Sequence, residues 1–317
     1  MVGTLGAMTS VTPESAIAVT LSTSSVYPLG PEAAFETAAR LGYDGVEVMV
    51  LGDPLTHDVR LLRRWSEDYG VPVLSIHAPC LLVTQRVWGT SDPWTKLDRS
   101  IELAHEVDSE VVVVHPPFRW QRDYASAFVD GVAEREVSTD MRIAVENMFP
   151  WRARNTDVQA YLPAWDPVPQ PYDSVTLDLS HTATAGSDAL AMQAALGERL
   201  AHVHLADGSG SFMDEHLVPG RGSQPCDEFL ARLPEMGYQG LVCLEVGTRK
   251  LSPDERELDL VEALAFARLH LGHPPLQHTP ELHPHRRVTT MRAGAARRRE
   301  RRLDRRSRRK ARRHLGG

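Results

Sequence analysis

The side chains in this sequence that can ligate a metal or move a proton punctuate short apolar runs. Glu47 lies in GVEVMV, His77 ends VPVLSIH, His115 closes VVVVH and Glu146 lies in RIAVEN. Asp178 and His181 lie in VTLDLSH, His202 and His204 in LAHVHL, and Glu245 in LVCLEV. A loop-like stretch, DEHLVPGRG, adds Asp214, His216 and Arg221. One histidine at the end of an apolar run is more often a satisfied core residue than a ligand, and one glutamate there often pairs with an arginine. Glu146, Asp178, His204 and Glu245 together resist that explanation, because each places an ionisable group in an apolar setting at an energetic cost. Oxygen and imidazole donors converging from separate rigid elements are what a divalent metal requires.

The elements that must position these donors alternate. Eight short, β-branched-rich runs read as strands: 17–23, 45–50, 71–77, 111–115, 142–147, 175–180, 200–205 and 241–246. Helical patterns fill most of the gaps. One opens at Pro31 and stops at Gly42, another stops at Gly70, and Ser252-Pro253-Asp254-Glu255 is a helix start with a capping-box layout. Phe149–Asp173 is Pro-rich and reads as a short helix plus loop. The alternation predicts an α/β fold, a (β/α)8 TIM barrel over 17–272, rather than an open doubly wound sheet, since no Gly-rich dinucleotide turn follows the first strand. In such a barrel the C-terminal ends of the strands converge on one mouth, so the donors converge as well. His202 is assigned to the face opposite His204 and left out of the site, and Asp207 reads as a turn cap.

With these residues assembled, the chain resembles the xylose isomerase-like TIM-barrel superfamily over about 17–271. The carrying motifs are HAP at His77, HPP at His115, AVEN at Glu146, LDLSH at Asp178–His181, HVHLAD at His204, DEHLVPGRG at Asp214–Gly222 and LEV at Glu245. That superfamily holds sugar (phosphate) isomerases and epimerases and the endonuclease IV type of DNA-repair enzyme. The epimerase resemblance implies one divalent ion (Mn2+, Zn2+, Mg2+ or Co2+) on Glu146, Asp178, His204 and Glu245. Glu146 and Glu245 would then act as acid and base on an enediolate, with His181, Arg221, Glu47 and His77 binding a sugar or sugar phosphate. A dehydratase acting on a sugar or inosose would use the same chemistry. The endonuclease resemblance implies three zinc ions, with His77, His115, His181, Asp214 and His216 as further ligands.

Charge separates these expectations. Of 35 Lys/Arg and 42 Asp/Glu, 15 and 2 fall in Arg286–Gly317, leaving 20 and 40 for the rest: a body at −20 and a tail at +13. An acidic body disfavours capture of a polyanion such as abasic DNA and favours a small polyhydroxylated substrate. Trp88, Trp94, Trp120 and Trp151 read as lid or core packing rather than duplex wedges. Three scattered cysteines, no apolar run of the ~18–20 residues a membrane span needs, and no signal-peptide layout in 1–15 predict a cytoplasmic enzyme that does not enter a membrane. A homo-oligomer is compatible with the sequence. Residues 1–16 read as a flexible N-terminus and 273–317 as a linker and disordered Arg-rich tail able to touch a polyanion. Truncation after His273 is expected to leave the melting temperature and metal content unchanged and to abolish salt-sensitive retention on heparin. A large fall in melting temperature would show that the tail packs on the barrel.

Overall fold

A computed structural model describes residues 17–80, 86–153 and 156–273, all within the compact unit Met1–Pro280. The segments expected as a flexible N-terminus and an Arg-rich tail lie outside the described residues, apart from His273. Eight parallel strands close into a barrel: β1 (Val19–Ser22), β2 (Gly45–Met49), β3 (Val73–His77), β4 (Val111–Val114), β5 (Arg142–Glu146), β8 (Val175–Asp178), β9 (Leu200–Leu205) and β10 (Leu241–Leu244). The circuit runs β1-β10-β9-β8-β5-β4-β3-β2, so each strand pairs with its neighbours in barrel order and β1 closes on β10. Around it lie α1 (Glu32–Leu41), α2 (Val59–Tyr69), α3 (Pro93–Glu106), α4 (Arg122–Thr139), α5 (Leu179–Ala185), α6 (Ala189–Leu196), α7 (Cys226–Glu235) and α8 (Pro253–His270). Among the described residues, no helix is long and apolar enough to cross a membrane.

Local chemistry sets the helix ends. Gly42 ends α1 at φ 87°, a left-handed turn that glycine adopts without penalty. Asp92 caps α3 by accepting the Thr95 N–H. Ser252 and Glu255 form the reciprocal capping box of α8. Two expectations need correction. Between β5 and β8 the chain forms an antiparallel hairpin, β6 (Trp151–Ala153) with β7 (Thr156–Val158), rather than a short helix. The run 175–180 is a strand only to Asp178, whose side chain accepts the His181 N–H and starts α5. An aspartate that can cap outweighs the β propensity of the preceding residues.

Period-two alternation sorts the strands. Leu21, Val48, Ile76, Ile143, Leu177, Val203 and Leu244 face outward into one core with Phe35, Leu62, Leu97, Phe128, Phe229 and Leu264 of the helices. The intervening residues fill the barrel interior, and many are polar: Thr20, Glu47, Ser75, Thr176 and His202 are all fully buried. Leu264→Ala should therefore cost about 2–5 kcal/mol through the cavity it leaves, whereas Val137→Ala, 85 % exposed on α4, should stay within about 0.5 kcal/mol. Urea denaturation of the two variants checks this contrast, and equal losses would contradict the assignment of the core.

Candidate metal centre

The interior side chains meet at the C-terminal end of the barrel around Glu146, the last residue of β5. Its Oε2 stands 3.2 Å from His77 Nε2 and 3.0 Å from His115 Nε2. Its Oε1 stands 3.1 Å from His181 Nδ1 and 3.3 Å from His204 Nδ1. His204 Nδ1 in turn lies 3.3 Å from Glu245 Oε2 and 3.7 Å from Asp178 Oδ2. Donors bound about 2.0–2.2 Å from one ion stand roughly 3.0–3.5 Å apart, so this spacing suits a single divalent ion. Asp178 Oδ2 is also a buried oxygen with no hydrogen-bond partner, a costly condition that a cation would relieve.

Among the described residues, four groups of donors each have ligating atoms within 4.8 Å of one another: Glu47, His202, His204 and Cys243, deeper in the barrel; His77, His115 and Glu146; Glu146, Asp178 and His204; and Asp178, His181 and His216. Asp214 joins the last, its Oδ2 lying 3.3 Å from His181 Nε2 and 2.9 Å from His216 Nε2. Backbone carbonyls orient three of these rings. Nδ1 of His77, His181 and His216 lies 3.0, 2.8 and 2.8 Å from the carbonyls of Ala78, Asn147 and Glu245. A carbonyl only accepts, so each Nδ1 carries a proton, and Nε2 is the nitrogen that can hydrogen-bond the facing carboxylate when protonated or ligate a metal when not.

The supporting contacts explain Asn147, Ser180 and Ser24, to which the sequence reading gave no role, and Asp207, which it read as a turn cap. Asn147 accepts the Asp178 N–H at 2.6 Å and donates to the Asp178 carbonyl at 3.1 Å, locking β5 to β8. Ser180 donates to Asp214 at 2.7 Å and accepts the His216 N–H at 3.1 Å. Ser24 donates to Glu245 Oε1 at 3.0 Å. Asp207, fully buried, accepts the N–H groups of Gly220, Gly222 and Gln224 and shapes the loop that carries Asp214 and His216. A Cβ at Gly222 would lie 2.3 Å from Asp207 Oδ1. The glycines of PGRG thus serve that close approach, a signal already present in the motif.

Three sequence assignments change. His202 shares the inward face with His204, because residues two apart in a strand lie on the same side, and its Nε2 stands 3.2 Å from Glu47 Oε2. Glu47 is fully buried beneath His204 rather than open to a substrate. Arg221 turns to α8, its Nε donating to Glu262 and its NH1 pairing with Asp259, each at 2.9 Å, and it is not brought to the cluster. Of the four tryptophans, Trp94 packs against Phe128 and under Arg135, Trp88 lies on His57, and Trp120 and Trp151 are part-exposed beside Phe118.

A closed parallel barrel whose strand ends bring carboxylates and imidazoles to one mouth defines a class of TIM-barrel proteins with a candidate metal centre. Residues 35–270 match the family described as xylose isomerase-like TIM barrel, and the chain belongs to that family. It is 51 % identical over 276 residues to the uncharacterized protein Rv0498 of Mycobacterium tuberculosis (strain ATCC 25618 / H37Rv), covering 81 % of this chain and 98 % of the relative. It is 22 % identical over 241 residues to the fructoselysine 3-epimerase of Shigella flexneri, covering 68 % of this chain and 85 % of the relative. The crystal structure of D-allulose 3-epimerase from Methylomonas sp. in complex with D-allulose superposes with a TM-score of 0.58 at 19 % identity, over 80 % of this chain and 97 % of that one.

Charge compensation governs the titration of the cluster. Burial opposes ionisation of Glu146, but His115, His204 and His181 outweigh it and hold its pKa well below the ordinary 4.5. Burial likewise opposes protonation of His204, His181 and His216, and the facing carboxylates overcome it, with His216 raised to about 10 by Asp214 above all. A histidine with a raised pKa stabilises the fold fully below its unfolded value of 6.5, and that contribution is lost as pH rises through the folded value, about 10 for His216. Glu146 and Glu47 act oppositely, stabilising above 4.5 and failing as pH falls. Chelator-treated protein should therefore lose stability steadily from pH 6.5 to 10 in urea titrations. Stability that rose across that window would contradict the protonated cluster.

Proposed function

We propose that this protein is a divalent-metal-dependent sugar epimerase or isomerase acting on a small polyhydroxylated ketose. The observation that carries the reading is the convergence of Glu146, Asp178, His204 and Glu245, with carboxylate oxygens 3.3–3.7 Å from His204 Nδ1. Family membership and the likeness to a fructoselysine 3-epimerase and a D-allulose 3-epimerase support it. A divalent ion held there supplies Lewis-acid stabilisation of the charge that grows on the substrate's carbonyl and adjacent hydroxyl oxygens as an enediolate forms. One of Glu146 and Glu245 takes the proton from the carbon between those oxygens. The other returns a proton to the opposite face, or to the neighbouring carbon for isomerisation, so the substrate's composition is unchanged. Burial of Glu146, Asp178 and His204 keeps bulk water from the proton path. We assign contact with substrate hydroxyls to His181 and His77, whose Nε2 atoms face Asp214 and Glu146. With Arg221 paired to Asp259 and Glu262, a neutral sugar suits the site better than a phosphate.

A second reading, a trinuclear-zinc phosphodiesterase, is favoured by one observation. The Nε2 atoms of His77, His115, His181 and His216 all point at carboxylate oxygens within 3.3 Å. The acidic body weighs against it. The deciding experiment combines metal analysis with solvent exchange. About one divalent ion per chain is expected, with deuterium from D2O entering a ketose at the carbon beside its carbonyl. Glu146→Gln and Glu245→Gln should each slow that exchange by about 10²–10⁴-fold. Close to three zinc ions, no exchange across a panel of ketoses, and chelator-sensitive incision of an abasic duplex would establish the second reading instead.

A further inference from the structure

His204 is the odd histidine of the cluster. His77, His181 and His216 turn Nε2 to the carboxylates and rest Nδ1 on a backbone carbonyl. His204 is reversed: Nδ1 faces Glu146, Asp178 and Glu245, and Nε2 points down the barrel to Glu47 Oε1 at 3.0 Å. His181 also meets a carboxylate through each nitrogen, but its Nδ1 shares the Asn147 carbonyl. Among the described residues His204 is the cluster histidine that meets carboxylates through both nitrogens with no backbone carbonyl against either. The Glu47 carboxylate is itself held. Ser75 donates to Glu47 Oε2 at 2.9 Å, and His202 Nε2 lies 3.2 Å from the same oxygen. Glu47, His202 and His204 are all fully buried, so no water competes for these contacts.

We infer that Glu47 is a positioning residue that fixes His204 as a metal ligand through a buried carboxylate–imidazole pair. Glu47 can only accept while ionised, so it keeps the proton on Nε2 and leaves the Nδ1 lone pair free toward Glu146, Asp178 and Glu245. Its negative charge also raises the basicity of the ring, which strengthens the Nδ1 donor. Geometry adds to this. β2 and β9 lie apart in the barrel circuit, and a contact spanning the interior between them fixes the ring plane of His204 against rotation. Glu47 contacts Ser75, His202 and His204 rather than Glu146, Asp178 or Glu245, which makes this role distinct from the sugar-binding one expected from the sequence.

The inference rests on the metal-dependent reading above, and its test separates the two. Co2+ is titrated into wild-type protein and into Glu47→Ala, Glu47→Gln and Thr20→Val, followed by visible absorption and chelator competition. Thr20→Val alters another fully buried polar side chain of the barrel interior, one that pairs beside Gly45 rather than Glu47. Glu47→Ala should weaken Co2+ binding by about 10–100-fold, Glu47→Gln by less, because its amide oxygen still accepts from Nε2–H, and Thr20→Val should bind as wild type does. Long-range 15N spectra of Zn2+-loaded wild type should show the His204 proton on Nε2. This readout stands even if Glu47→Ala fails to fold. Wild-type protein that binds no Co2+ overturns both the metal reading and this inference. Tight wild-type binding with equal affinity in folded Glu47 variants, or a His204 proton on Nδ1, overturns the positioning role alone.

Discussion

The burial of the Glu146 carboxylate is the constraint on which the rest of the site depends. Its side chain is 1 % exposed at the centre of the barrel, and an unpaired charge there would cost several kcal/mol. Four imidazoles from β3, the turn after β4, α5 and β9 stand within 3.3 Å of its two oxygens. Those histidines cannot come from neighbouring positions in the chain. They must be delivered by strands that run parallel and end together, which the barrel does and an open sheet does less completely. The apolar outer faces of the strands secure the barrel, and the barrel secures the charge cluster.

That division of labour explains what the sequence made legible. Short β-branched-rich runs alternating with helical ones carried the strand count, and the ionisable residues that interrupt them, Glu146, Asp178, His204 and Glu245, carried the expected convergence, while in/out alternation along a strand was used to place His202. That alternation was misapplied, because a two-residue step was taken as a change of face. The helix start at Asp178 was hidden because one residue serves twice: Oδ1 caps α5 at 2.8 Å from the His181 N–H, while Oδ2 faces the cluster. The hairpin Trp151–Val158 was hidden because Pro and aromatic content say little about pairing. Long-range partners were illegible for a different reason. Nothing local in GVEVMV indicates that Glu47 meets His204, 157 residues later, and nothing in PGRG shows that Arg221 turns to Asp259 and Glu262.

Two carboxylates stand between groups of donors. Glu146 belongs to both the His77–His115 group and the Asp178–His204 group, and Asp178 belongs to the latter and to the group with His181 and His216. Such sharing keeps the interior dense in anionic charge. In the metal-free chain that charge is met by protons on His204, His181 and His216, whose pKa values the carboxylates raise. A divalent ion held there would exchange protons for a dication rather than add charge to a neutral cavity. The same side chains that could hold an ion thus compensate one another's charge without it.

The ligand set alone therefore does not select between proton transfer on a sugar and phosphodiester cleavage, since donors for either are in place. Selection passes to features outside the cluster. A polyanionic duplex has to approach a body carrying 40 acidic against 20 basic side chains outside Arg286–Gly317, a field that opposes it at every distance within a Debye length. A neutral sugar meets no such barrier. The cation of the PGRG motif is spent on α8, and Asp207 uses the glycines of that motif to hold the loop of Asp214 and His216. A loop shaped through buried hydrogen bonds, with its own Arg221 turned to Asp259 and Glu262, supports the proposal of a small uncharged substrate over a polyanion.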